Sequence, residues 1–469
     1  MKPYVKEERL VPVIVSLMFV VIFIFGGASR SGLLGHLFLQ LLGCGILLFL
    51  VNFVKDTVFT QTFRRLAFLV GGIVIWSFLQ LVPLPMSIWT SFGDRAFVES
   101  GYQILKQQGE ISLPISLTPG ETFASILGFI PPIAVFMTLY SIGWRRSSKS
   151  VSWALVILAG ISVIIGFAQL FTGDESPLYW HSVTNNGYPV GFFANVNHNA
   201  TLVLMAIPFL AVLGYEEMRT YKLGGNNALP RNIIAFLLVL FLSGIVLMDS
   251  VAGYILIVPS LAAAILLYQS RSTSLKSILL TYLKFGLALA LLMLILVNVP
   301  TLDWLGITNS DDTELSRIEV WKQSLSLVRD NYQFGSGLGS YEHIYRVYED
   351  SSGVSKKYMN DAHNDYLQIV IEWGIIGAIL LICVGILIII EIVKQWTGPR
   401  EEGYRIRRAA SVALLMIMCH SFVDYPLRTP ALACVTAACL ALLLMPYKDI
   451  QSRARKRSRE IKNEKRVVI

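Results

Sequence analysis

Apolar runs long enough to span a bilayer recur through almost the whole chain, and they limit the fold more than any other feature. A helix needs about 20 apolar residues to cross the hydrocarbon core. Hydropathy and run length place about twelve spans, near residues 11–27, 33–51, 66–82, 121–141, 151–170, 197–214, 232–249, 251–268, 278–298, 364–393, 407–422 and 430–446. This pattern predicts an all-α polytopic membrane protein with about twelve transmembrane helices.

Composition agrees with a protein embedded in lipid. Only 15% of the 469 residues are charged and 54% are hydrophobic, whereas soluble domains are about a quarter charged. The net charge of +8 does not favour a nucleic-acid partner, because the basic residues lie mostly in short loops and in the tail, where they indicate topology. The five cysteines lie inside apolar runs without metal-ligand spacing, so we expect no metal site and no disulfide.

Basic residues on alternate loops orient the chain. One set of loops carries Arg64, Arg65, Arg145, Arg146, Lys149, Arg219, Lys222, Arg271, Lys276, Arg405, Arg407 and Arg408. The opposite short loops at 171–196 and 249–252 contain neither lysine nor arginine. The positive-inside rule then predicts a multi-pass membrane protein with both termini in the cytoplasm.

This orientation divides the chain into four parts. Residues 1–298 hold the N-terminal transmembrane helices, with an outer loop at 83–120. Residues 299–362 form a large periplasmic loop, residues 363–446 hold the C-terminal transmembrane helices, and residues 447–469 form a basic cytoplasmic tail. In the periplasmic loop we expect amphipathic helices, because Leu315, Ile318, Trp321, Leu325 and Val328 recur at helical spacing.

His363 is the first candidate for chemistry, because it stands at the outer start of a long apolar helix. We expect Asp361 to cap that helix. The N-terminus of a helix disfavours an imidazolium, and a neutral imidazole can accept a proton as a general base. A capping or interfacial histidine would explain the same position equally well.

Two further polar groups lie near outer helix ends. Asn197 and His198 begin the sixth span, where they could bind sugar hydroxyls or cap the helix. His420, Asp424 and Arg428 follow an i, i+4, i+8 spacing that would share one helical face, although Pro426 is expected to end that helix first. The second group would form a structural cluster or support a site, since charged groups near membrane depth are usually paired or functional.

Several motifs occur together in a characteristic order. His363-Asn364-x-x-Leu367, followed by Glu372-x-Gly374-x-x-Gly377, opens a late transmembrane helix after a large outer loop. Arg317 with Trp321 precedes a Gly335-to-Gly339 turn, and an Asn-x-Asn-His segment ends at His198. This ordered set resembles the O-antigen ligase and polymerase superfamily over roughly residues 70–446, and the stretch 420–428 resembles exopolysaccharide polymerase-like members.

The resemblance implies a GT-C-like glycosyltransferase that needs neither metal nor other cofactor. Such an enzyme takes a glycan from undecaprenyl pyrophosphate and passes it, with inversion, to a hydroxyl of an acceptor glycan or lipid on the periplasmic face. By this resemblance His363 is the catalytic base. The substrate-binding candidates are Arg317, Arg428, Asn364, Asn197, His198, His420 and Asp424.

The arginines have a second interpretation besides substrate binding. Arg317 could be a solvated charge on an amphipathic helix, and Arg428 and Arg30 could be interfacial anchors. The chain also departs from its relatives, since Val196 and Val251 stand where many of them carry arginine.

Polymerisation of lipid-linked repeat units is the expected function, with a chain-length regulator as a possible partner. The alternatives are an O-antigen ligase that uses lipid A-core, a protein O-oligosaccharyltransferase and a non-catalytic transporter of lipid-linked glycan. The sequence shows no clear inverted repeat, which argues against the transporter.

Overall fold

The computed structural model describes residues 2–30, 33–52, 57, 59–92, 95–104, 111–222, 231–269, 317–349 and 359–446. The helices within these ranges are α1 Lys2–Phe25, α2 Leu34–Val51, α3 Gln61–Leu79, α4 Met86–Trp89, α5 Ala96–Ile104, α6 Pro119–Leu127, α7 Ile130–Ile142, α8 Trp144–Thr172, α9 Val196–Lys222, α10 Arg231–Leu247, α11 Val251–Tyr268, α12 Arg317–Asn331, α13 Tyr341–Tyr348, α14 Asp365–Thr397, α15 Tyr404–His420 and α16 Pro430–Leu444.

The predicted architecture is confirmed. Seven described segments are long and apolar enough to cross a membrane, and three shorter apolar helices accompany them. Each predicted span that falls on described residues coincides with a helix, or with the pair α6 and α7; the span predicted at 278–298 lies outside the described residues. The predicted tail at 447–469 and much of the periplasmic loop lie outside them as well. The protein is therefore an all-α polytopic membrane protein.

The outer loop at 83–120 adds a small β-element that hydropathy did not predict. Strands β1 Pro83–Pro85 and β2 Ser112–Pro114 pair antiparallel, with Leu84 opposite Leu113. Buried Arg95 donates to the carbonyl of Ile115 at 2.8 Å, and its guanidinium lies 4.6 Å from the ring of Trp89. These contacts hold the two ends of the outer loop together.

Helix α9 lies at the centre of the bundle, and 89% of the residues in its most apolar stretch are buried. Helices α8, α10, α11 and α15 pack around it. In a second group of helices, α7 packs against both α2 and α16, and α3 packs against α14. The site described below lies at the end of the bundle where α9, α14 and α16 begin.

Three arginines of α15 close the opposite end of the bundle. Arg405 donates to the carbonyl of Gln269 at 3.1 Å, Arg407 to Met445 at 2.6 Å and Arg408 to Gln395 at 2.9 Å. These carbonyls belong to the C-terminal ends of α11, α16 and α14, where a cation opposes the negative end of the helix dipole. We call this end the basic end, defined by Arg405, Arg407 and Arg408.

Helix α14 is broken at Gly374, whose φ of 64° lies in the left-handed region that glycine tolerates. The break frees backbone groups, and neighbouring chain segments bind them. Ser336 N–H donates to Ile371 O and Gly337 N–H to Glu372 O, each at 3.0 Å. The conformation of the kink is therefore the reason for a glycine at this position.

Gly335 completes this junction between the outer segment and α14. A Cβ on Gly335 would lie 2.1 Å from Glu372 O, so the backbones could not approach with any larger residue. Side chains at the C-terminal end of α3 donate to the same stretch of backbone, Trp76 Nε1 to Trp373 O at 2.9 Å and Gln80 Nε2 to Glu372 O at 2.8 Å. In the apolar medium of a membrane protein such freed carbonyls require partners.

Candidate functional site

The loop that precedes α14 is held in a strained conformation. His363 has a φ of +48°, which is uncommon outside glycine. This left-handed residue stops the helix from extending further back, so α14 begins at Asp365 and Asn364 caps it by accepting from Leu367 N–H at 3.0 Å. The predicted cap at Asp361 is therefore wrong. Strain of this kind is typical of functional sites.

His363 lies beside a buried carboxylate. Its Nδ1 is 3.4 Å from Oδ1 of Asp424, a residue that is fully buried. Burial alone would raise the pKa of Asp424, but the imidazole of His363 and the charges of His198 and His420 hold this pKa well below its usual range. Asp424 is therefore ionised, and it favours the tautomer of His363 with the proton on Nδ1.

That tautomer leaves the lone pair of His363 on Nε2, which is the form a general base requires. The side chain is 23% exposed, so an acceptor from the solvent side can reach it. The ring of Tyr425 packs edge-on against the imidazole, with 4.9 Å between the ring centroids. Two groups thus restrict the orientation of the imidazole.

His198 and His420 are buried near the same carboxylate. His198 Nδ1 lies 2.8 Å from Thr429 Oγ1, and His420 Nδ1 lies 2.7 Å from Thr201 Oγ1. His198 also meets the ring of Tyr425 edge-on, with 5.1 Å between the centroids. The structure thus brings His363, Asp424, His198 and His420 into one cluster, which we call the histidine cluster.

The predicted helical face from His420 to Arg428 does not form. Helix α15 ends at His420, and Arg428 lies in a short 3-10 turn, Pro426–Arg428. The chain instead folds back, and Asp365 N–H donates to Ser421 O at 2.9 Å. The turn aims Asp424 toward His363 and Arg428 toward α14, so the two charges serve different partners.

Arg428 is bound to carboxylates of α14. Its two terminal nitrogens donate to the two carboxylate oxygens of Glu372 at 3.3 and 2.8 Å, and its Nε lies 3.9 Å from Asp365 Oδ1. Such a bidentate pair is strong and fixes the guanidinium plane. The role of Arg428 in substrate binding stays a prediction, and its observed contacts are with protein acids.

A third acid, Asp361, lies next to this pair. Gln368 bridges the two acids, donating from Nε2 to Asp361 Oδ1 at 3.0 Å and to Glu372 Oε1 at 3.2 Å. Burial raises the pKa of Asp361 to about 6, although the charge of Arg428 and the bond from Gln368 oppose the rise. Three acids, Asp361, Asp365 and Glu372, therefore lie around one arginine, Arg428.

The remaining predicted residues lie close to this region. Asn195 Oδ1 accepts from Asn197 N–H at 2.9 Å, so the turn before α9 is capped by Asn195 and the predicted role of Asn197 stays open. Arg317 is the first residue of α12, and its side chain lies outside the described part of the structure. Trp321, one turn later, donates to Ala362 O at 3.0 Å and brings α12 against the loop of His363.

A cavity of about 1040 Å³ opens beside the site and runs down among the membrane helices. Its outer mouth is polar and contains Arg30, Asp361, Glu372 and Arg428. Deeper in, apolar residues of α2, α3, α7 and α16 line it, among them Leu37, Leu66, Phe136 and Leu440. The cavity reaches Asp361, two residues before His363, and its shape suits an amphiphile with a polar head and an apolar chain.

Sequence reasoning missed the partners of Arg428. Glu372 was assigned only as part of a motif, and Asp361 and Gln368 were not assigned to the site. A signal was present, because Asp361, Asp365, Gln368 and Glu372 follow steps of four, three and four residues and so fall on one side of a helix. Four polar residues in that register at the start of an apolar span indicate a partner of opposite charge.

Replacing Glu372 tests the ion pair with Arg428. In Glu372→Leu the guanidinium stays in a largely buried position with its nearest acceptors removed. We expect the free energy of unfolding to fall by about 3–5 kcal/mol, measured by thermal unfolding in detergent. Glu342→Gln, which breaks the partly exposed pair with Arg346, is the control and should change stability by less than about 1 kcal/mol. Equal stability of Glu372→Leu and the parent protein would contradict this view of the pair.

Comparison with known proteins supports the family resemblance. Residues 236–382 match the family model described as O-antigen ligase. This region begins within α10, includes His363 and ends within α14. A search of curated proteins found no match. The family indicates glycosyl transfer of the ligase or polymerase type, and the match at 236–382 supports the resemblance of the chain to the O-antigen ligase and polymerase superfamily.

Proposed function

We propose that the protein polymerises lipid-linked polysaccharide repeat units by inverting glycosyl transfer at the periplasmic face of the inner membrane. The observation that carries this proposal is the position of a carboxylate-oriented imidazole beside a cavity that is polar at its mouth and apolar within the membrane. A polyprenyl pyrophosphate has the same division, with a charged head joined to a long apolar chain.

The proposed chemical step is a direct displacement. Nε2 of His363 accepts the proton of an acceptor hydroxyl, and the acceptor oxygen forms a bond to the anomeric carbon of the donor. The bond between that carbon and the pyrophosphate oxygen breaks, and undecaprenyl pyrophosphate leaves with the electron pair. Attack opposite the leaving group inverts the anomeric centre. Guanidinium groups stabilise the growing negative charge, and the step uses no metal.

Besides orienting His363, Asp424 has a second role. As His363 gains the proton, the buried carboxylate stabilises the imidazolium that forms. The two buried threonine contacts hold the rings of His198 and His420 in place near the same carboxylate. Asn364 and Asn197 remain candidates for contacts to the sugar.

Charge at the basic end supports the proposed orientation. The three arginines lie in the first two turns of α15, which has 17 residues and ends at His420. A helix of that length covers about 25 Å, most of a hydrocarbon core. Under the positive-inside rule the basic end faces the cytoplasm, so the histidine cluster faces the periplasm.

Reconstitution tests the proposed function. Purified protein in nanodiscs is given an undecaprenyl-pyrophosphate-linked repeat unit, and products are separated by size. A ladder of longer glycans supports the polymerase. A single transfer to added lipid A-core would indicate a ligase, and transfer to serine or threonine peptides would indicate protein glycosylation. Movement of the lipid across liposomes without any new glycosidic bond would overturn the enzymatic proposal.

A further inference from the structure

The cavity mouth contains two arginines whose surroundings differ. Arg428 donates to both oxygens of Glu372 and lies close to Asp365. With Asp361 beside this pair, three acids surround one guanidinium, so carboxylates of the protein already occupy its donors. Arg428 can therefore bind a pyrophosphate only in competition with its own carboxylates.

Arg30 lines this mouth without such competition. It is exposed, lines the same cavity, and among the described residues no carboxylate lies within ion-pair distance of it. An unpaired guanidinium at the mouth of an apolar cavity matches the charge of an amphiphile with an anionic head. Its fork of donors fits two oxygens of a phosphate at once.

The loop that carries Arg30 is fixed by backbone contacts. Gly26 O accepts from Ala431 N–H at 2.9 Å, and Gly27 O accepts from Ala194 N–H at 3.1 Å. A Cβ on Gly27 would lie 1.9 Å from Phe192 O, so this close approach requires glycine. The loop is thus held against the start of α16, two residues after Arg428, and against the segment that leads into α9.

We propose that Arg30 is the principal ligand of the donor pyrophosphate, and that it holds the phosphates at the cavity mouth while the polyprenyl chain occupies the apolar part of the cavity. This inference rests on the proposed function. Arg30 contacts the phosphates in both the substrate and the leaving group. It therefore contributes to binding of the product, undecaprenyl pyrophosphate, as well as of the donor.

Binding of the sugar-free product provides the test. Undecaprenyl pyrophosphate and undecaprenol are titrated into the full-length protein in nanodiscs, and their Kd values are measured by native mass spectrometry. We expect Arg30→Gln to weaken binding of the pyrophosphate by about 10- to 100-fold, the loss typical of a charge-assisted contact, and to leave undecaprenol unchanged. Arg30→Lys keeps the charge without the fork, and we expect an intermediate loss.

The control is Arg329→Gln, which removes an exposed arginine of α12 that does not line the cavity. Unchanged pyrophosphate binding by Arg30→Gln would overturn the inference and leave the proposed function standing. An equal loss in Arg329→Gln would also overturn it, because a general effect of net charge would then explain the result. Failure of the parent protein to bind any polyprenyl pyrophosphate would overturn the proposed function together with the inference.

Discussion

Replacing His363 with asparagine stops glycan transfer while the donor still binds. We expect kcat to fall by about 10²- to 10⁴-fold, the usual contribution of a positioned general base. Asparagine is the appropriate replacement, because it tolerates the left-handed conformation that His363 adopts and so preserves the start of α14. Chain extension by purified protein and binding of undecaprenyl pyrophosphate are the two measurements.

The thermal midpoint of the variant should stay near that of the parent protein, which separates a chemical defect from unfolding. Arg329→Gln changes an exposed residue of α12 on the same outer side that does not line the cavity, and it serves as the control. Normal chain extension by His363→Asn would remove the imidazole from the catalytic role.

Replacing Asp424 with asparagine lowers activity by a different route. An amide no longer selects the tautomer of His363 with its proton on Nδ1, nor does it stabilise the imidazolium. We expect kcat to fall by about 10²- to 10⁴-fold with little change in KM, because Asp424 acts through His363 and not on the donor. Steady-state kinetics of chain extension measure both constants.

Asp424→Glu distinguishes positioning from a purely structural role. Its carboxylate can still reach Nδ1 after a small adjustment, so part of the lost activity should return. If both variants instead lose donor binding and thermal stability together, Asp424 is a packing residue and its link to His363 is incidental.

The membrane spans could be predicted because hydropathy is a local property. Every predicted span within the described residues corresponds to a helix, since a run of that length and polarity has few other stable states in lipid. The break at Gly374 could not be predicted in the same way. It depends on the segment at 332–337, which is distant in sequence and binds the backbone groups that the break releases.

The residues of the site could be predicted from the sequence, but the partner of each residue could be predicted less well. His363 and Asp424 were both candidates, yet helical spacing suggested that Asp424 would share a face with Arg428. The chain leaves its helix at His420, and the following turn sends the two side chains to different partners. Pairings made by turns depend on tertiary contacts that spacing along one element does not contain.

The junction between the glycine turn and α14 limits how substrates can travel. Ile375 N–H donates to Tyr332 O at 2.7 Å, and with the bonds from Ser336 and Gly337 it joins the outer segment to the broken helix at several points. Hinged opening of that segment would break all of these bonds at once in a poorly hydrated region. A long-chain lipid should therefore enter laterally, from the bilayer into the cavity lined by α2, α3, α7 and α16, while the sugar arrives from the aqueous side. The growing glycan and its lipid carrier would then reach the site through separate openings.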